Sequence, residues 1–159
     1  MAARLRAWLR SGSAGGALVE MALVMPIMFL ILTSIFTFSI ATNHKLTLTE
    51  ADTIGGNLLA VQRGQPNPCA NVQAAVAAAA PSLAASSISM TFVMNGVTTT
   101  GTAASGGVTC PGASGAANPT LITGDPASLT LTYPCSLIVY GKNMLPSCTL
   151  TSQITEIVQ

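Results

Sequence analysis

Near the start of the chain a glycine pair, Gly15 and Gly16, stands four residues ahead of a lone carboxylate, Glu20, at the mouth of a long apolar run. Two side-chain-free residues give a peptidase an extended, uncluttered backbone to grip. A cut between Gly15 and Gly16 would free an amine at Gly16 and leave Glu20 as the fifth residue of the product. A carboxylate at the edge of lipid is costly without a partner, so an acidic residue there is a functional candidate by default. The new ammonium, on the same chain or on a neighbour, is such a partner. The pair would fix the axial register of one subunit against the next; the alternative is that Glu20 lies at the cytoplasmic headgroup level and simply meets water.

Other reactive side chains are sparse. The four cysteines, Cys69, Cys110, Cys135 and Cys148, all lie beyond the apolar run. On an exported, oxidising side they are expected to form two disulfides. Three connectivities are open, and Cys69 with Cys110 plus Cys135 with Cys148 is preferred because each bridge then closes a local loop. There is no CxxC pair, and the single histidine is His44, so a metal centre has no support. The acids Asp125 and Glu156 stand apart from any base that would activate the abundant Ser and Thr hydroxyls. No catalytic residue and no cofactor is therefore expected. The glycine-rich stretches lack the Gly-Lys-Ser/Thr and dinucleotide patterns of phosphate loops.

The elements that position these groups follow from composition. Half of the 159 residues are hydrophobic and 7% are charged, far below the usual quarter, which excludes an ordinary cytosolic domain. No charged residue occurs from Met21 through Asn43. Residues 21–41 as a helix, at about 1.5 Å per residue, are enough to cross a hydrocarbon layer of roughly 30 Å. Arg4, Arg6 and Arg10 precede the run, and the flank after it is nearly neutral, Lys45 being offset by Glu50 and Asp52. This places the N-terminus in the cytoplasm and the remainder outside. Beyond Asn43 the cations Lys45, Arg63 and Lys142 are scattered among four acids, which leaves no footprint for nucleic acid. Ser39-Ile40-Ala41 before Thr42 is a competing small-x-small secretory cleavage site, disfavoured by the length of the apolar region and its early carboxylate. A plain, uncut anchor is the third reading.

Gly15 followed by Gly16-Ala17-Leu18-Val19-Glu20 matches the prepilin cleavage pattern of type IV pilins and their relatives. The longer string from Gly16 to Ile31, through Pro26, resembles the N-terminus of TadE/TadG-like pseudopilins of the tight adherence (Flp, type IVc) pilus system. Met21 departs from the Phe or Tyr common after that glutamate. The resemblance implies Gly15 as the residue before the cut, Gly16 as the mature terminus and Glu20 as the fifth-position glutamate. It implies a prepilin peptidase, other pilin or pseudopilin subunits, the pilus assembly machinery and membrane lipid as partners. It also implies an inner-membrane, single-pass protein with a periplasmic C-terminal domain, taken up into a surface pilus. The exported domain is too large for the short major pilin and argues for a minor subunit. The alternative is a non-enzymatic anchored or secreted envelope protein that binds a partner through that domain.

The expected organisation is a basic leader over residues 1–15, a long helix over 16–62 and a disulfide-containing domain over 63–159. Pro26 is tolerated near the expected helix start, where it can also serve as a bend. Past the membrane, Leu46, Glu50 or Ala51, Ile54, Leu58 and Val61 recur at helical spacing as the packing stripe, with Asp52 on the other side and a weak point at Gly55 and Gly56. Asn67 and Pro68 open a second, alanine-rich helix with Val72, Val76 and Leu83 as packing positions, and Pro81 ends it. Ile88, Met90, Phe92 and Met94 alternate as one buried strand face, Asn95-Gly96 is a tight turn, and Val97 begins a returning strand. The methionines fit core filler rather than metal ligands. Further strands are expected at Ser128 to Tyr133, stopped by Pro134, and from Cys148 towards Ile157; between them Leu137-Ile138-Val139-Tyr140 is either a loop tucked onto the core or a short element preceding Gly141. The predicted class is α+β: a long N-terminal transmembrane helix, then a small exported domain with a second helix and an antiparallel sheet.

Overall fold

The computed structural model describes residues 12–104, 106, 108–110, 121–135, 138–139, 142–143 and 145–159. The leader arginines, the glycine-rich 112–115 stretch, Leu137, Tyr140 and Gly141 fall outside them. The chain divides into two units, one ending at Ser39 and one running from Ile40 to Gln159.

Helix α1 (Gly12–Val61) supplies all of the described part of the first unit. Leu, Met and Ala carry it, and its side chains there are exposed over the full circumference, as a lipid-facing helix requires. The hydroxyls within the span are bonded back to the helix. Thr33 Oγ1 donates to the Phe29 carbonyl at 2.9 Å, Ser34 Oγ to Leu30 at 2.8 Å and Thr37 Oγ1 to Thr33 at 3.0 Å. No polar hydrogen of these three is left to hydrocarbon. Pro26 lies well inside α1, not near its start, because the helix already begins at Gly12.

In the second unit, α1 is followed by α2 (Pro68–Ala79), a 3-10 turn (Ala85–Ser87), β1 (Ser89–Met94), β2 (Val97–Thr102), β3 (Pro126–Pro134), β4 (Ile138–Val139), β5 (Lys142–Asn143) and β6 (Thr149–Ile157). The four longer strands form an antiparallel sheet in the order β2-β1-β3-β6, and β4 pairs with β5. The Asn67 side chain accepts from the Ala70 N–H at 3.4 Å and Pro68 takes the first turn of α2, where a missing N–H does no harm. Asn95 (φ 47°) and Gly96 (φ 74°) close the β1–β2 hairpin in the left-handed conformation that a two-residue turn needs.

The core follows the period-2 reading. Ile88, Met90, Phe92 and Met94 are all fully buried, as are Leu129 and Leu131 of β3, and they meet Val72 and Val76 of α2. Leu83 is buried too, beyond the end of α2.

The packing stripe of α1 is only partly the expected one. Ala51 is buried and Leu58 packs against the core, but Leu46, Ile54 and Val61 are 65%, 43% and 58% exposed, while Leu48, Asp52, Gly55, Gly56, Leu59 and Ala60 are buried. The glycines decide the side. A Cβ on Gly55 would lie 2.7 Å from Leu129 Cδ2 and 2.8 Å from Val76 Cγ2, and one on Gly56 would overlap Ile154 Cγ2. The sheet and α2 press against bare backbone at this point, with Leu48 and Leu59 buried to either side, and Leu46, Ile54 and Val61 are turned away.

Candidate processing and subunit-contact site

Gly15 and Gly16 both lie in the opening of α1, close behind its first residue Gly12. The first backbone N–H groups of a helix have no intrahelical partner, and each glycine lowers helix stability by about 1 kcal/mol relative to alanine. A peptide bond here is released into an extended form more cheaply than any bond in the helix interior. Nothing lies within 4 Å of the position a Cβ on Gly16 would take. The bond is thus sterically open.

Glu20 is exposed, one turn on from Gly16. With Gly16, Val19, Leu23 and Val24 it lines a shallow concavity whose surface is almost wholly apolar. Among the described residues no cation pairs with Glu20. Further along, Met21, Val24, Met25, Met28, Phe29 and Leu32 form a second, wholly apolar groove beside Pro26. One carboxylate at the head of an otherwise apolar surface gives this segment a single polar point by which another helix can be registered.

The cysteines lie in the other unit. Cys69 is bonded to Cys110 and Cys135 to Cys148, with Cα separations of 5.5 and 5.1 Å. The first ties the start of α2 to the loop after β2, and the second closes the segment that holds the β4–β5 hairpin. His44 packs edge-on against Tyr133 with ring centroids 5.7 Å apart. Among the described residues no three His, Cys, Asp or Glu side chains converge as a metal site.

Three polar groups outside the expected set do specific work. Gln73, buried in α2, donates to the carbonyl oxygens of Thr102 and Ala104 and accepts from the Val108 N–H at 3.3 Å, so one amide organises the loop after β2. Lys45 Nζ donates to the Thr151 carbonyl on β6. Asp52, 2% exposed, sits in the buried stripe of α1. Its place between Leu48 and Gly55, one helical turn from each, is the signal that marks it. That signal is readable only once the glycines are recognised as contact positions.

Residues 15–51 match the family model described as TadE-like protein. The match opens on Gly15, takes in Glu20 and the apolar helix, and stops before the sheet. No curated protein and no solved structure matches the chain. The segment 16–61 is long and apolar enough to cross a membrane once. Over residues 15–51, which carry the glycine pair, the glutamate and most of the apolar helix, the chain is similar to TadE-like proteins, and that helix is long and apolar enough to anchor it in a membrane.

Proposed function

We propose that this protein is a minor pilin or pseudopilin that acts in the assembly of a tight adherence pilus. A prepilin peptidase removes the leader between Gly15 and Gly16, at the glycine-lined opening of α1. The ammonium of Gly16 then meets a Glu20 carboxylate of the same or an adjacent subunit, while the apolar faces of α1 pack side by side in the membrane. The exported α+β domain stays outside as the part that distinguishes this subunit from a short major pilin. It acts through its surfaces rather than by catalysis, and its partners are other subunits and the assembly machinery.

The observation that carries this reading is the position of the family match, which begins at Gly15 and includes Glu20 five residues later. A pair of variants in cells that assemble the pilus separates the two roles. Gly15→Leu is expected to leave the precursor uncut. Glu20→Ala is expected to be cut nearly as well as the parent yet to enter the assembly about 5- to 30-fold less, since an interhelical polar contact of about 1–2 kcal/mol is lost. Normal assembly of the Glu20 variant would refute the registering role.

A further inference from the structure

We propose that the seam between α1 and edge strand β6 is a proton-operated clasp, in which Asp52 holds the two elements together when its carboxyl is protonated and loosens them when it is ionised.

The geometry is that of a sealed acid. Asp52 is 2% exposed, Ser152 on β6 is 8% exposed, and Asp52 Oδ1 has no hydrogen-bond partner among the described residues. The neighbouring seam contacts are neutral or turned elsewhere. Gly56 meets the side chain of Ile154, and Lys45 spends its ammonium on the Thr151 carbonyl rather than on the carboxylate. Along one edge β6 is bound to β3 through nine paired positions from Pro126–Ile157 to Pro134–Thr149, and the Gly56–Ile154 contact places α1 on its face.

Among the described residues, α1 contributes Lys45, His44 and the exposed Glu50 to the seam, and Arg63 follows its end; β6 contributes Glu156, further along the face that carries Ser152; β3 contributes Tyr133, engaged edge-on with His44, and Asp125 stands just before β3, its carbonyl accepting from the Val158 N–H. α2 and β1 contain no charged residue. Burial pushes the Asp52 carboxyl up to about 6 from 3.8, against the opposing pull of the Ser152 hydroxyl and of the Lys45 charge. As an anion Asp52 keeps the Ser152 hydroxyl and the pull of Lys45 but leaves Oδ1 unsatisfied, whereas the neutral acid removes that charge from the seam.

The sign follows. A group whose carboxyl is harder to ionise in the folded state than in the open one stabilises the fold fully below about pH 4. That contribution is lost as the pH rises through about 6. Opening of the seam should therefore be on the order of tenfold more frequent at pH 8 than at pH 5. The clasp rests on this seam alone and on neither leader removal nor pilus assembly.

Amide hydrogen exchange of β6 in the full chain, held in detergent micelles and corrected for intrinsic exchange rates at pH 5 and pH 8, tests it. The expected result is roughly tenfold greater opening at pH 8 in the parent and in Glu50→Gln, with Asp52→Asn protected equally at both values. Retention of the tenfold difference in Asp52→Asn, or its loss in Glu50→Gln, would overturn the proposal. Carboxyl carbon-13 titration of the parent protein decides the matter if Asp52→Asn does not fold. A midpoint near 6 for Asp52 supports the clasp and one near 4 contradicts it.

Discussion

Gly56 and Ile154 touch so closely that no side chain fits between them: a methyl group on the glycine would overlap Cγ2 of the isoleucine. Alanine at an ordinary helical position gains about 1 kcal/mol over glycine. Here the gain is outweighed, because Cγ2 sits on a stiff β-branched side chain and cannot swing aside. Gly56→Ala should destabilise the exported domain by about 1–3 kcal/mol in urea unfolding. Adding Ile154→Ala to it should cost at least ~1 kcal/mol less than the two changes taken separately. Strict additivity would show that the close approach is not what the glycine provides.

Gln73 makes a second prediction. Its amide serves two carbonyls and one N–H inside the protein, so Gln73→Leu strands three backbone groups. A loss of about 2–4 kcal/mol is expected. Gln73→Glu should be worse at pH 7 than at pH 4, because a carboxylate would face the Thr102 and Ala104 oxygens while a carboxylic acid could still donate to one of them. Thermal unfolding at the two pH values reads this directly.

The two disulfides should differ in worth. The Cys69–Cys110 bridge spans 41 residues and both cysteines are buried; the Cys135–Cys148 bridge spans 13 and is less sheltered. Loop closure alone predicts losses of about 4 and about 3 kcal/mol on replacing each pair by alanine. Under graded reductant the Cys135–Cys148 bridge should open first, because an attacking thiolate reaches it more readily. Mass mapping of alkylated cysteines gives the order.

Much of this fold is legible in the sequence where a single periodicity rules. The alternation of Ile88, Met90, Phe92 and Met94 and of Leu129 with Leu131 reads directly as buried strand faces, and Asn67-Pro68 and Asn95-Gly96 mark a helix start and a hairpin. The distal half of α1 is harder. Hydrophobicity points to Leu46, Ile54 and Val61, but the buried side is chosen by what must approach it, and the glycines admit the sheet where larger residues cannot. Asp52 is misread for the same reason, since a carboxylate on the polar-looking side of a helix gives no sign that a strand will cover it. In the first unit the glycine pair and Glu20 stand out because almost nothing polar surrounds them.

The proposed function turns on the mature N-terminus, and intact mass of the protein recovered from cells that build the pilus tests it most directly. The account predicts a chain that begins at Gly16 and lacks the arginine-bearing leader. A chain that keeps Met1 while pili form normally, or one that begins at Thr42, would contradict it.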